Sequence, residues 1–293
     1  MITLLDGGLG QEIYKRSKLP AHPLWSIKVM MEDGDVVQEV HQDFIQAGAR
    51  ILTLNTYTAT PTRLRRDGQL EWLSPLQAKA YELADAARKA SGEPHGEVQL
   101  AGCLPPLQGS YSPESTLPYA DCVAEYREII ALQPGVDLFI AETLSTVREG
   151  LAAAEAMQGT SKPLLLSFTL SDDAPNCLRS GERIPEMLEA IADLDLAGLL
   201  FNCSLPESIT QALPELQASP FPYGAYANGF QSVKALRPGG TVDVLDARED
   251  LGPTAYADLA MHWVLEGASY IGGCCEVGPD HIAELRRRIE REA

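Results

Sequence analysis

Eight short apolar runs alternate with eight amphipathic segments along this chain, and that alternation constrains the fold more than any other feature of the sequence. The runs fall at 2–6, 50–55, 98–103, 137–142, 163–170, 197–202, 222–228 and 269–273. Segments near 35–49, 74–91, 120–132, 145–158, 185–193, 206–217, 254–266 and 279–291 have helical spacing. In the first of these, Val36, Val37, Val40, Phe44 and Ile45 recur at 3.6-residue rather than two-residue intervals. Strict strand–helix alternation implies parallel strands with helical crossovers, and eight such units are the number that closes a (β/α)8 TIM barrel. A doubly wound open sheet is the competitor. It would bring G-x-G-x-x-G after the first strand, and "DGGLGQE" (6–12) lacks that spacing. No repeat, charge block or Gly/Ser/Pro-rich linker divides the chain, so 1–293 is expected to be a single barrel domain, with 104–119 and 229–253 as loops at its mouth.

Charge narrows the partners. A net charge of −18 and a pI near 4.6 argue against nucleic acid or an anionic membrane, both of which need a basic footprint. The start "MITLLDGG" lacks the basic and long apolar regions of a signal peptide, and no apolar run approaches the roughly 18 residues of a spanning helix. A cytoplasmic setting is expected. Six cysteines, at 103, 122, 177, 203, 274 and 275, are too sparse for a disulfide scaffold, and in a reducing compartment such thiols point to metal binding or catalysis.

In barrel enzymes chemistry gathers where strands end and loops begin. Asp6, Asn55, Thr56, Glu142, Thr143, Asn202, Cys203, Asn228, Cys274 and Cys275 all fall there. Loops are polar in any protein, but that does not account for three cysteines on one rim. Adjacent cysteines make a strained disulfide, so Cys274 and Cys275 need another use. A metal supplies one. Three thiols leave the open position of a catalytic zinc, and an electron-rich thiolate-bound ion suits a soft substrate thiol better than water. Gly272 and Gly273 are expected to supply the permissive φ/ψ for the bend that brings both thiolates to one ion. The rival use of Gly-Gly after the eighth strand is a phosphate cradle, with "RPGG" (237–240), but adjacent thiolates would repel a phosphate. Cys103 reads as a small buried hydrophobe, and Cys122 and Cys177 show no partner. No histidine pair has metal-ligand spacing and no lysine stands at a predicted strand end, which disfavours a Schiff-base aldolase.

The stretches "LLDGGLGQE", "VHQDFIQAGARILTLNTYTAT", "AGCLPPLQGSY", "IAETLST", "FNCS" and "GGCCEVGPDHI" together resemble the zinc-dependent homocysteine S-methyltransferases, which include enzymes using betaine or S-methylmethionine. The resemblance spans nearly the whole chain, and the Asn202-Cys203 and Gly272-Gly273-Cys274-Cys275 pair is its most specific part. It implies a (β/α)8 barrel, Zn²⁺ on Cys203, Cys274 and Cys275, and Glu142 as the group that binds the amino end of homocysteine. On that basis Asp6 and Asn202 are expected beside the substrate. The N–H groups of Gly7 and Gly8 are expected at the acceptor carboxylate, and Tyr57 against the cationic methyls of the donor. One departure stands out: "YANGFQ" replaces a "Y-P-N-x-G-E" stretch after the seventh strand, which touches the donor side of the pocket rather than the zinc.

The function implied is methyl transfer from an onium donor to the thiol of homocysteine, forming methionine. S-methylmethionine, S-adenosylmethionine and betaine all remain open as donors, and the partners are small molecules. Two alternatives stay open as well. One is a non-catalytic barrel whose zinc is structural or whose thiols sense metal or oxidant, which requires a fourth protein ligand. The other is a methyltransferase module working with a separate corrinoid protein.

Overall fold

The computed structural model describes residues 2–94, 96–174 and 176–292. Eight parallel strands form one sheet: β1 (Thr3–Leu4), β2 (Ile51–Thr53), β3 (Gln99–Leu104), β4 (Leu138–Leu144), β5 (Leu164–Phe168), β6 (Gly198–Asn202), β7 (Tyr223–Tyr226) and β8 (Tyr270–Ile271). From β2 to β8 each strand pairs with the next in sequence, and β8 pairs with β1. A Leu5–Ile51 bridge, with the Asp6 N–H donating to the Ile51 carbonyl, closes the ring between β1 and β2. The result is a (β/α)8 barrel.

The helices of the described residues are α1 (Leu9–Arg16), α2 (Ser26–Glu32), α3 (Gly34–Ala47), α4 (Pro61–Asp67), α5 (Leu73–Ala90), α6 (Tyr119–Ala131), α7 (Val147–Ala156), α8 (Ile184–Ile191), α9 (Pro206–Ala212), α10 (Pro253–Leu265) and α11 (Pro279–Glu292). The eight expected helices are all present. Three more, α1, α2 and α4, occupy loops at the mouth. At seven or eight residues they complete barely two turns, too few for apolar periodicity to declare itself. Only α4 carries a local start signal, Thr60 accepting from the Arg63 N–H with Pro61 next in the chain.

Two-residue alternation within each strand divides the core. One face packs outward against the helices, while Leu5, Ile51, Ala101, Leu138, Ile140, Leu165, Leu200 and Tyr226 fill the barrel interior. The inward set continues toward the strand ends. Cys103 follows Ala101 by two, Glu142 follows Ile140, and Asn202 follows Leu200, so the pleat aims all three at the space above the apolar plug. None of the described helices is long and apolar enough to cross a membrane.

The core contains one ionisable oddity. His41 on α3 is fully buried, and neither ring nitrogen has a hydrogen-bond partner among the described residues. Burial pushes its pKa down to about 4. Because the folded value lies below the unfolded one near 6.5, the stability tied to the neutral ring is present above pH 6.5 and is lost as pH falls toward 4. Between pH 7 and pH 5 this amounts to about 2 kcal/mol. Urea unfolding of the wild type and His41→Leu at both pH values checks it. The variant should lose about that much of the pH dependence, and equal pH dependence in both proteins would refute the assignment.

Candidate metal centre and substrate cavity

The Sγ atoms of Cys203, Cys274 and Cys275 lie within 4.8 Å of one another. Cys203 follows β6, while Cys274 and Cys275 follow β8, so barrel closure alone joins positions far apart in sequence. No fourth Cys, His, Asp or Glu joins them among the described residues. Burial opposes ionisation of Cys203, but hydrogen bonds from Cys274, Cys275 and Tyr111 outweigh it and carry that thiol well below the usual range. The same contact with Cys203 pushes Cys274 and Cys275 up. A divalent ion suits such a set, because its charge would take the place of the thiol protons.

The backbone bend is built differently from the expectation. Neither Gly272 nor Gly273 has a positive φ; the left-handed residues are Cys203 (φ 47°) and Glu276 (φ 66°). The two glycines are needed for room. A Cβ on Gly272 would lie 2.6 Å from Leu5 Cβ, and one on Gly273 would lie 2.0 Å from Val277 Cγ1. Gly273→Ala is therefore expected to displace the 274–277 turn and weaken metal binding about tenfold or more, the size of effect known for disturbed metal surroundings. Chelator competition with far-UV circular dichroism as a fold check measures this. Gly252→Ala, where a Cβ meets open space, is the control.

All five non-glycine residues with positive φ among the described residues, namely Trp25, Tyr111, Thr143, Cys203 and Glu276, line the cavity above the barrel or directly follow a residue that does. Such concentration of backbone strain marks functional sites. The cavity measures about 130 Å³ and is bordered by the three cysteines, Asp6, Gly7, Gly8, Tyr57 and Glu142. Glu142 sits inside β4, two residues before its end, next to a register shift between Ala141 and Leu144. Cys103 donates to its Oε1 (3.1 Å) and Tyr226 to its Oε2 (3.3 Å). Burial pushes its carboxyl up to about 7. An ammonium ion placed beside it would reverse that cost.

Other expected residues take different parts. Asp6 accepts from the Thr53 N–H (2.8 Å), and burial raises its pKa well above the carboxylate range. Asn202 is fully buried and does not border the cavity. Its Oδ1 accepts from the Thr143 N–H and the Ser167 hydroxyl, and its Nδ2 donates to Thr143 Oγ1, each at 2.8 Å. It braces the strained residue beside Glu142. The Gly8 N–H is engaged by the Val277 carbonyl (2.9 Å), leaving the Gly7 N–H, which has no partner among the described residues. One face of Tyr57 already carries a cation, the Arg63 guanidinium with Cζ 5.2 Å from the ring centroid. Cys103 holds Glu142 rather than filling space.

Sequence reasoning did not single out Tyr111, whose hydroxyl lies 2.8 Å from Cys203 Sγ, nor Arg63. Tyr111 sits in a long irregular loop and Arg63 in an arginine-rich helix start, and neither position carries a local signal.

The family model described as homocysteine S-methyltransferase matches residues 3–289. Homocysteine S-methyltransferase of Escherichia coli (strain K12) is 31% identical over 303 residues, covering 98% of this chain and 95% of that protein. The chain belongs to the homocysteine S-methyltransferase family. Within the family it is also similar to betaine–homocysteine S-methyltransferase 1 of Mus musculus, 24% identical over 99% of this chain and 73% of the mouse protein. The crystal structure of the metallated form of the homocysteine methyltransferase MmuM from Escherichia coli superposes with a TM-score of 0.82, at 30% identity, over 98% of this chain and 96% of that one.

Proposed function

We propose that this protein, working as one barrel domain, transfers a methyl group from an onium compound to the thiol of homocysteine, with zinc held by Cys203, Cys274 and Cys275. The observation that carries the reading is one cavity bordered by both a three-thiol cluster and a buried carboxylate. The cluster suits a soft ion with one open position, and the carboxylate suits the ammonium of an amino acid. A structural zinc would call for a fourth ligand, and none of the usual types joins the cluster among the described residues. Bound there, zinc would keep an incoming thiol deprotonated yet nucleophilic at neutral pH.

The protein's own residues orient the acceptor. Glu142, aimed by Cys103 and Tyr226, takes the ammonium, and the free Gly7 N–H ahead of α1 takes the carboxylate. The thiol at the other end then reaches the cysteines. Its sulfur forms the new S–CH₃ bond as the donor's S–CH₃ or N–CH₃ bond breaks, with that electron pair remaining on the donor atom and the thiol proton passing to solvent. No general base takes part. Leu5, Ile140 and Phe230 on the cavity wall limit hydration of the joining charges, which favours the reaction. The mouse relative's name supports an onium donor, and a set of free thiols suits a reducing, cytoplasmic setting.

The test is to incubate zinc-loaded protein with homocysteine and, in turn, S-methylmethionine, S-adenosylmethionine, betaine and dimethylsulfoniopropionate, and to assay methionine. Product with at least one donor, dependent on zinc, is expected. Absence of methionine with every donor would overturn the reading.

A further inference from the structure

Arg63 is the charged group that the mechanism above leaves unused. It stands in the first turn of α4 and borders the cavity, yet only 7% of it is exposed. Buried guanidinium groups are ordinarily paired with a carboxylate, because an uncompensated buried charge is costly. Arg63 has no such pair among the described residues. Nη2 donates to the Pro106 carbonyl (2.8 Å), Nε has no partner, and Nη1 donates to no protein atom among the described residues. Asp67, on the same helix, is held by Arg66 (2.7 Å). Among the described residues its nearest electrostatic support besides the Pro106 carbonyl is the face of Tyr57, itself fixed by a 2.7 Å hydrogen bond to Ser110, with Asp67 adding a weaker attraction.

A cavity wall bearing a buried, half-satisfied guanidinium calls for an anion. Homocysteine already has its counter-groups in Glu142 and the Gly7 N–H, so the anion belongs to the other substrate. We infer that Arg63 binds a carboxylate on the methyl donor and thereby restricts the donor to zwitterions that carry an onium centre and a carboxylate in one small molecule. A donor with a positive charge alone would bring its cation toward a fixed cation in a poorly hydrated pocket, so the same residue that attracts the zwitterion repels the bare onium. Tyr57 then acts as a positioning residue, holding the guanidinium rather than the donor methyls. This inference rests on the methyltransferase reading and deepens it.

The test compares each donor carboxylate with its carboxamide, using S-methylmethionine, betaine and dimethylsulfoniopropionate, in the wild type, Arg63→Gln and Arg63→Lys, all zinc-loaded. Where methionine forms, KM for donor and for homocysteine are measured separately. Where it does not, the same pairs are titrated calorimetrically into protein saturated with zinc and homocysteine. Failure of turnover is thereby kept apart from failure of donor recognition. The wild type should prefer at least one carboxylate over its amide by about tenfold or more, the worth of a hydrogen bond to a charged group. Arg63→Gln should bring the pair to parity by weakening the carboxylate alone, and Arg63→Lys should keep part of the preference. Weaker use of the amide as well, or a raised KM for homocysteine with the donor unaffected, would overturn the inference by marking Arg63 as structural or as an acceptor residue. Parity between every carboxylate and its amide in the wild type, which needs no variant to fold, would overturn it outright.

Discussion

Cys203→Ser, Cys274→Ser and Cys275→Ser are each expected to lose stoichiometric zinc and to lower methionine formation by more than about a hundredfold, exceeding the effect of disturbing a ligand's surroundings. A serine hydroxyl is not deprotonated at neutral pH, so each substitution removes one of three anionic donors from an ion with no replacement ligand among the described residues. Metal analysis after dialysis, paired with turnover, reads both effects. Cys122 and Cys177 provide the controls. Cys122 is buried on α6 with its thiol 3.5 Å from the Leu117 carbonyl, and Cys177 lies in the β5–α8 connection. Their serine variants should bind zinc as the wild type does. Any one of the three rim variants that keeps both full metal and activity is thereby shown not to be a ligand.

Glu142→Gln should raise KM for homocysteine by one to two orders of magnitude while zinc content stays unchanged. The amide keeps the shape and one of the two accepting oxygens but removes the charge, and a hydrogen bond to a charged group contributes about 1.5–3 kcal/mol. The carboxylate is held ready by Cys103 and Tyr226, so little reorganisation accompanies binding. The decisive comparison uses 4-mercaptobutyrate, which has the thiol and carboxylate of homocysteine without the amino group. It should bind the wild type and the variant alike. Equal homocysteine affinity in the two proteins would remove Glu142 from the acceptor site and weaken the case that the acceptor is an amino acid.

Much of this was legible in the amino-acid order. Parallel strands cannot be joined without crossovers, so eight short apolar runs alternating with eight segments of period 3.6, with no G-x-G-x-x-G after the first run, already favour a barrel over an open doubly wound sheet. The two-residue pleat then specifies which residues look inward, because a one-residue slip would exchange the barrel-filling set for the set that packs against the helices. Strand ends meet at one mouth in such a fold, and that is why Cys203, Cys274, Cys275 and Glu142 could be assigned to one site from their positions alone. What the chain order did not determine concerns contacts between loops, where no periodicity operates. Asn202 has the placement of a substrate ligand, but its amide is claimed by Thr143 and Ser167 on neighbouring strands. The Gly8 N–H is claimed by Val277, more than 260 residues away. Gly272 and Gly273 look like hinges and are instead clearances for Leu5 and Val277. Arg63 reads as one of several arginines at the start of a short helix, and only the packing of that helix over the mouth leaves its charge buried and unpaired. Hydrophobic patterning thus determined where side chains point, while the closing of loops across the barrel decided which polar atoms were already satisfied and which were left for a substrate.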